Sequence, residues 1–498
     1  MGTVRVRTYH VSGMQRLTGL DAAFLSLETP AAHMHIMGVV VVDPASAPPG
    51  PFHDRVRDLI AARLHLVPPL RRRLVEVPFG LYVPAWINDP DFDLDYHLRR
   101  AALPSPGGKQ ELEEFAGAVF GRPLDRSRPL WEMYAVEGLE HGYVAIVTKT
   151  HHAAIDGVSG AELTVNLLDT TPEPDDYSPA DEWVTERIPT DIEMALYALR
   201  SLARQPQAAV KAVQRTATMA VTLRRRNRQP DVQPPPALFS APKTSLNTRI
   251  TPHRRYAMTE VPLADIKRVK NAVGATVNDV VLAICAGAMR SWLQSRNELP
   301  GQDLVGFVPI SVRTEQERGA MGNRVSSMLV RLVTTIPDPL ERLLAIREAT
   351  QHAKEQERAV SAQRLTDWTE FAAPAVAASA ARLVSRLRVF DRVNNPMFNV
   401  VISNVPGPSI PLYSAGARVL GVWPMGPITD GAGLNITVMS YLGSVNFGLI
   451  ACRELAPDLD RLAHCVDEAT EELIKASASG TATGTRGKWS ARRAPEPG

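Results

Sequence analysis

Short apolar runs and amphipathic stretches alternate along most of the chain. Residues 36–43 (IMGVVVVD) and 143–150 (YVAIVTKT) are rich in β-branched residues, and each run has the length of a buried strand. Residues 51–74 carry leucines on a near-helical spacing and predict a helix. The first part of the chain is therefore expected to combine strands with helices.

The later part of the chain repeats this alternation. Residues 254–262 predict a strand, and residues 264–274 predict an amphipathic helix that ends at Gly274. A second helix is expected to begin directly after Thr276, which is a suitable N-cap residue. Further strand-like runs occupy residues 305–313, 324–333, 397–407 and 434–450. Strands that alternate with helices predict an α/β protein built of packed α and β layers.

The 498-residue chain divides into two large halves joined by a segment of different composition. We assign residues 1–185 to a first domain and residues 241–475 to a second. Residues 186–240 are predicted to form a basic helical and proline-rich linker, in which residues 194–228 carry eight basic residues and no acidic one. The tail, residues 476–498, is rich in Ala, Thr, Gly and Arg and is predicted to be disordered.

Composition argues against several classes of function. The formal net charge is only +2, which gives no overall field for nucleic acid. Cys285, Cys452 and Cys465 are far apart in sequence, a pattern that supports neither a disulfide framework nor a zinc site and fits a reducing cytosol. The N-terminus lacks the apolar core of a signal peptide, and no transmembrane helix is evident. We therefore expect a cytoplasmic protein whose membrane contact is peripheral.

The most informative short stretch is TKTHHAAIDG, residues 148–157. It begins within a predicted strand and closes with Gly157, which permits a sharp turn. Ser159, followed three residues later by Glu162, forms a capping-box pattern that predicts the start of a helix. The motif is therefore expected at a strand–turn–helix junction, where rigid elements hold a short loop in place.

Three roles are open for the paired histidines of this motif. If the strand continues through His151 and His152, their side chains point to opposite faces and cannot ligate one metal ion together. A second possibility is that both are ordinary buried residues. The third is general-base catalysis, in which His152 takes the proton of a hydroxyl that attacks a carbonyl. The carboxylate of Asp156, the turn glycine and the following helix favour this third role.

The task of Asp156 has two possible forms. In the first, an ion pair between Asp156 and an arginine holds the loop, with Arg71, Arg72 and Arg73 as candidates. In the second, the count starts at His151 and gives HxxxxD, the spacing of glycerophosphate-type acyltransferases, in which the aspartate polarises the histidine directly. The doubled histidine and the closing Asp-Gly pair favour the first form.

Several stretches of the chain together resemble one family. HHAAIDG (residues 151–157) matches the HHxxxDG motif of the chloramphenicol acetyltransferase-like, CoA-dependent acyltransferase superfamily. Four other stretches narrow the resemblance to the bacterial bifunctional wax ester synthase/acyl-CoA:diacylglycerol acyltransferase family, over roughly residues 15–475. These stretches are LTGLDAAFLSLET (17–29), PLDRSRPLWE (123–132), ATVNDVVLA (275–283) and NVVISNVPGP (399–408).

The resemblance implies roles for the residues of the histidine motif. His152 would be the general base that activates the acceptor hydroxyl. His151 would support it, Asp156 would orient it, and Gly157 would make the turn.

The resemblance also singles out two further groups of residues. Pro129, Leu130 and Trp131 are similar to a segment associated in the family with the acyl or alcohol channel, although core packing is an equally open reading. Asn278 and Asp279 match a second signature at a predicted helix N-terminus. There they would either help to stabilise the thioester oxyanion or cap the helix.

The resemblance further implies an architecture and a set of partners. Two chloramphenicol acetyltransferase-like domains would enclose an active-site channel at their interface, where long-chain acyl-CoA meets diacylglycerol or a long-chain alcohol. Neither a metal nor another cofactor is expected, because acyl-CoA is a substrate. Apart from the resemblance, the basic composition of residues 194–228 leaves two roles open: a solvated linker helix, or a helix that attaches the protein to the inner membrane face or to lipid droplets. The alternatives are another acceptor, a carrier-bound acyl donor, or a non-catalytic lipid-binding protein.

Overall fold

The computed structural model describes residues 14–155, 167–173, 185–202, 236–237, 239–311, 325–359 and 395–482. Its strands are β1 (Gln15–Arg16), β2 (His35–Asp43), β3 (Arg72–Val75), β4 (Ala85–Asn88), β5 (Leu98–Ala102), β6 (Trp131–Glu137), β7 (Val144–His151), β8 (Arg254–Pro262), β9 (Val305–Ser311), β10 (Val325–Arg331), β11 (Val400–Val405), β12 (Tyr413–Ser414), β13 (Ala417–Met425), β14 (Leu434–Tyr441) and β15 (Ser444–Cys452). Its helices are α1 (Gly19–Leu27), α2 (Phe52–Arg63), α3 (Leu94–His97), α4 (Lys109–Phe120), α5 (Asp191–Leu202), α6 (Leu263–Val273), α7 (Val277–Ser295), α8 (Pro339–Ala359) and α9 (Leu459–Ala482). Sheets covered by helices confirm the predicted α/β layers.

The first six-stranded sheet carries the histidine motif. Its strand order is β12–β13–β2–β7–β6–β5; β5 and β6 run parallel, and the other neighbours run antiparallel. Strands β2 and β7 confirm the two predicted β-branched runs, and Val39 and Val147, which pair across them, are fully buried. The same register pairs His35 with His151, so this sheet places the first motif histidine at the end of a central strand.

The second six-stranded sheet has the order β10–β9–β11–β14–β15–β8. Strand β11 runs parallel to both of its neighbours, β9 and β14. Helices α6, α7, α8 and α9 pack with this sheet around one apolar core, in which Trp292 and Phe447 are fully buried. The strand predicted at residues 254–262 is confirmed as β8, and residues 434–450 form the hairpin of β14 and β15.

The second half of the chain contributes two strands to the first sheet. Strands β12 and β13 come from the second half of the sequence, yet β13 pairs along β2 and so extends the first sheet. Side chains also connect the sheets, because Asn446 donates to the carbonyl of Val422 at 3.0 Å and Trp423 donates to that of Thr259 at 3.2 Å. The domain boundaries stay a prediction, but the first sheet is complete only when both halves are present.

The helix predicted at residues 51–74 is too long. Helix α2 ends at Arg63, and two short 3-10 turns and the strand β3 follow it. The reason lies in Pro68 and Pro69, which supply no backbone N–H and begin one of these turns. Proline therefore overrides the leucine spacing on which the longer helix was predicted.

The helix pair α6 and α7 agrees closely with its prediction. Helix α6 ends at Gly274, whose φ of 66° places it in the left-handed region that glycine adopts without strain. Thr276 is the N-cap of α7, as expected, and its side chain accepts the backbone N–H of Asp279.

The predictions for the linker and for the C-terminal tail are tested only in part or are partly wrong. Helix α5 covers the start of the basic segment 194–228, whose residues 203–228 lie outside the described residues. Helix α9 continues to Ala482, past residue 476, where the disordered tail was predicted to begin. Within the described ranges no single helix is long and apolar enough to cross a membrane, although the bent pair α6–α7 passes by length and composition.

Candidate active site

Strand β7 ends at the first motif histidine. His151 is its last residue, and His152 begins a 3-10 turn that runs to Ile155. The strand therefore does not continue through both histidines, and the opposite-face argument against a shared metal ion does not apply. The N–H of His152 still donates to the carbonyl of Met34 at 2.9 Å, but that of Ala153 donates to Nδ1 of His151 at 3.1 Å. The imidazole thus replaces the partner strand at the point where the chain turns away.

Asp156 and Gly157, the closing residues of the motif, lie outside the described residues. The partner of Asp156 therefore stays a prediction. Among the three candidate arginines, Arg73 forms an ion pair with Asp89, with 3.4 Å between Nη1 and Oδ1.

The side chain of His151 is enclosed, with 1% of its surface exposed. Its backbone N–H donates to the carbonyl of Leu130 at 2.9 Å. Its Nε2 lies 3.6 Å from Oε2 of Glu28, so this edge of the ring faces the carboxylate at slightly more than hydrogen-bond distance. His151 is therefore held through its backbone N–H and through Nδ1, while Nε2 faces Glu28.

His152 has a different environment. Its half-buried ring stacks on Phe24 of α1, with 4.0 Å between the ring centroids. Its Nδ1 is buried and has no hydrogen-bond partner among the described residues. Burial, helped by the neighbouring His151, lowers the pKa of His152 to about 4. The imidazole is therefore neutral around pH 7.

Glu28 belongs to a small ionic network beside His151. Arg126 donates to Glu28 through Nε at 3.0 Å, to Glu76 at 2.9 Å and to the carbonyl of Leu25 at 3.1 Å. Burial alone would raise the pKa of Glu28, but interactions with His151 and Arg126 outweigh burial and lower it. Glu28 is therefore a carboxylate at neutral pH.

A second buried ion pair lies just before the motif on β7. Lys149, fully buried, pairs with Glu132 at 3.0 Å and also donates to the carbonyls of Val119 and Arg122 at 3.2 Å each. Burial lowers the pKa of Lys149, and the charge of Glu132 opposes that shift. This pair links α4, β6 and β7 behind the motif, so it secures the strand from which the histidines project.

The segment Pro129–Leu130–Trp131 lies directly beside the motif. Leu130 accepts the backbone N–H of His151, and its side chain is buried in the apolar cluster that also contains the turn after β7. Trp131 points into the core, where it donates to the carbonyl of Leu70 at 2.7 Å. The packing role of this segment is observed, and its role in a substrate channel stays a prediction.

Asn278 and Asp279 lie in the first turn of α7. The buried carboxylate of Asp279 accepts the N–H of Thr276 at 2.9 Å and the hydroxyl of Thr350 at 2.7 Å. Asn278 is half-buried, and its side-chain oxygen accepts from Asn404 at 3.4 Å, a contact that joins two of the family-like stretches. In the part of the chain that the structure describes, no hydrogen bond, ion pair or ring contact joins either residue to the motif histidines.

Further histidines gather at the end of β2. His33 stacks on His35 with 5.4 Å between centroids, and His35 lies edge-on to His151 at 5.9 Å. Burial lowers the pKa of both His33 and His35, so both are neutral at pH 7. Across the described ranges, no group of three or more His, Cys, Asp or Glu side chains is arranged to hold a metal ion. That the protein needs no metal stays a prediction.

Several residues around the histidines were not singled out from sequence. Phe24 comes from α1, Glu28 is the residue directly after α1, and Arg126 comes from the turn before β6. All three lie inside the stretches 17–29 and 123–132 that carry the family resemblance. The available signal was a charged residue within each stretch, Glu28 and Arg126, but the contacts themselves depend on tertiary structure.

Comparison with protein-family models gives two matches. Residues 17–281 match the wax ester synthase/diacylglycerol acyltransferase catalytic domain, and residues 321–474 match the corresponding C-terminal domain. A putative diacylglycerol O-acyltransferase from Mycobacterium tuberculosis is 36% identical over 468 residues, covering 94% of this chain and 91% of the relative. A probable diacylglycerol O-acyltransferase from the same species is 35% identical over 469 residues, covering 92% and 98%.

Solved structures show similar folds. The wax ester synthase/diacylglycerol acyltransferase from Marinobacter aquaeolei superposes with a TM-score of 0.65 at 30% identity, covering 93% of this chain and 100% of that one. A cyclization-docking bidomain of a peptide synthetase from Sorangium cellulosum has a TM-score of 0.50 at 15% identity, covering 93% and 85%, and shows the fold alone. The family matches and these full-length relatives agree. The chain belongs to the wax ester synthase/diacylglycerol acyltransferase family of acyltransferases.

Proposed function

We propose that the protein transfers the acyl group of long-chain acyl-CoA to the hydroxyl of diacylglycerol, which gives triacylglycerol, and that long-chain alcohols are second acceptors. Family membership supports acyl transfer. The observation that carries the mechanism is the state of His152, a neutral imidazole with a pKa of about 4 and an Nδ1 without a partner among the described residues. A neutral imidazole is the form that accepts a proton.

In the proposed reaction, His152 takes the proton of the acceptor hydroxyl while its oxygen attacks the thioester carbon. The new C–O bond converts the thioester carbonyl into an oxyanion, which collapses and breaks the C–S bond. The imidazolium of His152 then protonates the departing CoA thiolate. The products are an ester and CoA, and the base is regenerated. A low pKa favours this last step, because the imidazolium releases its proton readily.

Direct transfer without an acyl-enzyme is the form we propose. The chain has no GxSxG nucleophile motif. Burial raises the pKa of the Cys285 thiol to about 12 and that of Cys465 to about 11, so neither is a thiolate at neutral pH. The base therefore acts on the acceptor itself.

We propose that the acceptor is drawn from a lipid surface, since diacylglycerol is barely soluble in water. Helix α5 leaves Ile192, Leu196 and Leu199 exposed, at 74%, 46% and 64% of their surfaces. Their spacing of four and three residues forms one apolar stripe. This stripe lies at the N-terminal end of the basic segment 194–228. An apolar stripe next to basic residues is typical of helices that lie on anionic lipid.

Liposome co-sedimentation tests this lipid contact. Leu196→Ser with Leu199→Ser is expected to weaken binding at low and high salt, because burial of apolar area is not screened. A second variant reverses the charges of Arg200, Arg204, Lys211 and Arg215. We expect it to lose binding to anionic liposomes at low salt. Unchanged binding by both variants would remove the proposed contact.

An acyl-transfer assay tests the function itself. Wild type and His152→Ala receive labelled palmitoyl-CoA with dioleoylglycerol or hexadecanol, and ester and free CoA are followed separately. We expect ester from wild type and a loss of about 1,000-fold in the variant. His464→Ala, at an exposed position on α9, is the matched control. Folded wild type that forms no ester would favour another donor or acceptor, or a lipid-binding role, and release of CoA without ester would indicate a hydrolase.

A further inference from the structure

We infer that Glu28 is a positioning residue for the reaction: fixed by Arg126, it holds the ring of His151, and His151 in turn holds the turn that carries His152. Glu28 does not reach the reacting atoms in this arrangement. The inference rests on the proposed function for its kinetic consequence, but the geometry on which it stands is independent of the substrate.

The first step concerns the proton on His151. Nδ1 accepts the backbone N–H of Ala153 at 3.1 Å, so Nδ1 carries no proton. The proton of the neutral ring then lies on Nε2, which faces the carboxylate of Glu28 at 3.6 Å. A carboxylate at that place stabilises this tautomer, and this tautomer is the one that can accept from Ala153.

The second step concerns the turn. The N–H of His152, directly after β7, donates to Met34, directly before β2, whereas the N–H of the next residue, Ala153, has the His151 ring as its acceptor. If the ring of His151 rotated or carried its proton on Nδ1, that buried N–H would lose its acceptor, at a cost of roughly 1–3 kcal/mol. The turn, and with it the ring of His152, would then be free to move.

The third step concerns helix α1 and the residue directly after it, which together contact both histidines. Phe24 stacks on His152, and Glu28 faces His151. Phe24 lies in the last turn of α1, and Glu28 is the C-cap residue directly after it. One segment therefore contacts two consecutive histidines: Phe24 packs on His152, and the carboxylate of Glu28 faces His151.

The fourth step concerns the charge of Glu28. Its side chain is 12% exposed, and a lone carboxylate there would be costly. Arg126 offsets the cost through its guanidinium, which also pairs with the more exposed Glu76. Glu76 thus shares the arginine with Glu28, while the described contacts of Glu76 do not include His151. This makes Glu76 the matched control position.

Kinetics provide the first test. We expect Glu28→Ala to lower kcat about 100-fold with KM values for acyl-CoA and acceptor changed less than about two-fold, since misplacement of a base affects the chemical step. Glu28→Gln keeps an oxygen that can accept from Nε2–H and is expected to recover part of this loss. Glu76→Gln is expected to stay within about two-fold of wild type. Equal losses in Glu28→Ala and Glu76→Gln would overturn the inference.

Nitrogen NMR of selectively labelled histidine provides the second test, and it needs no substrate. The signals of His151 are assigned by their absence in His151→Gln. We expect the Nε2-protonated form in wild type and in Glu76→Gln, and a mixture of tautomers in Glu28→Ala. A wild type protonated on Nδ1, or a Glu28→Ala spectrum like that of wild type, would overturn the inference even if the kinetics agreed. A failed acyl-transfer assay with the expected spectra would instead fault the proposed function.

Discussion

The histidine motif and the Asn278–Asp279 pair are both signature segments, yet the structure treats them differently. Asp279 is buried with both carboxylate oxygens engaged, one by Thr276 and one by Thr350. His152 has a buried Nδ1 without a partner among the described residues. Saturated hydrogen bonding of Asp279 indicates a residue that stabilises the fold. The unengaged nitrogen of His152 leaves a ring position open, which the base role that we propose for it requires.

The comparison teaches that a polar residue in a signature segment can serve the fold rather than the reaction. The first-turn carboxylate of α7 accepts the N–H of Thr276 at the helix start, as in the capping boxes of many helices. The histidines differ, because α1 and the Glu28–Arg126 pair are arranged around them. Three substitutions and one change of pH should affect the two regions differently.

The largest effect is expected from Asp279→Ala. It leaves the N–H of Thr276 and the hydroxyl of Thr350 without their acceptor in a buried place, so we expect a loss of about 3 kcal/mol in the free energy of unfolding. Urea unfolding measures it. Asp279→Asn keeps an acceptor oxygen and is expected to recover much of the stability. A stable Asp279→Ala variant without activity would instead place Asp279 in the chemistry.

The next effect is the pH dependence of stability. The pKa of His152 is about 4 in the folded protein against 6.5 for an unperturbed histidine, so the unfolded state binds more protons between these values. Stability therefore falls as the pH drops from about 7 to 5, by about 2 kcal/mol for this residue. His152→Gln removes that contribution, and its unfolding free energy should depend less on pH by the same amount. Parallel pH profiles of wild type and variant would contradict a buried neutral His152.

A smaller effect is expected on activity from Asn278→Ala. Asn278 has one long contact, 3.4 Å from Asn404, and no described contact with the histidines. We expect kcat to fall no more than about ten-fold, below the 100-fold or more typical of an oxyanion donor. Single-turnover measurement of thioester cleavage gives this value. A fall beyond about 100-fold in a folded variant would restore the oxyanion role to the start of α7.

The smallest effect is expected on stability from His152→Ala. The variant loses the stacking on Phe24 but also removes a buried nitrogen that lacks a partner, and these terms oppose each other. We expect the free energy of unfolding to change by less than about 1 kcal/mol, as measured by urea unfolding at pH 8. A loss as large as that of Asp279→Ala would mean that His152 is chiefly a core residue.

Local features of the fold were accessible from sequence, and features that depend on distant residues were not. The valine-rich strands β2 and β7, the end of α6 at Gly274 and the cap at Thr276 each follow from a few adjacent residues, and all are confirmed. The helix predicted at residues 51–74 was too long because two prolines interrupt an otherwise helical pattern. The pairing of β13 with β2 was not foreseen, since Gly421 and Pro424 weaken its strand pattern and its partner comes from the other half of the chain.

In the candidate site, too, contiguous residues could be predicted from sequence and tertiary contacts could not. The histidine motif was visible because its residues are contiguous and follow a strand. Glu28, by contrast, is an ordinary acid at the end of a helix in the sequence, and only the packing of α1 against the turn after β7 brings it to His151. A single sequence therefore picks out the candidate base but not the residues that we infer to position it.

The pairing of β13 with β2 also has a consequence during synthesis. Strand β2 (HIMGVVVVD) leaves the ribosome early, but the strand that covers its outer edge, residues 417–425, is among the last to be made. Until then the growing chain exposes an unpaired apolar strand edge, a template for wrong pairing with other nascent chains. We therefore expect translation that stalls before residue 417 to yield aggregates rather than a folded first half, and chaperones to bind the nascent chain at β2.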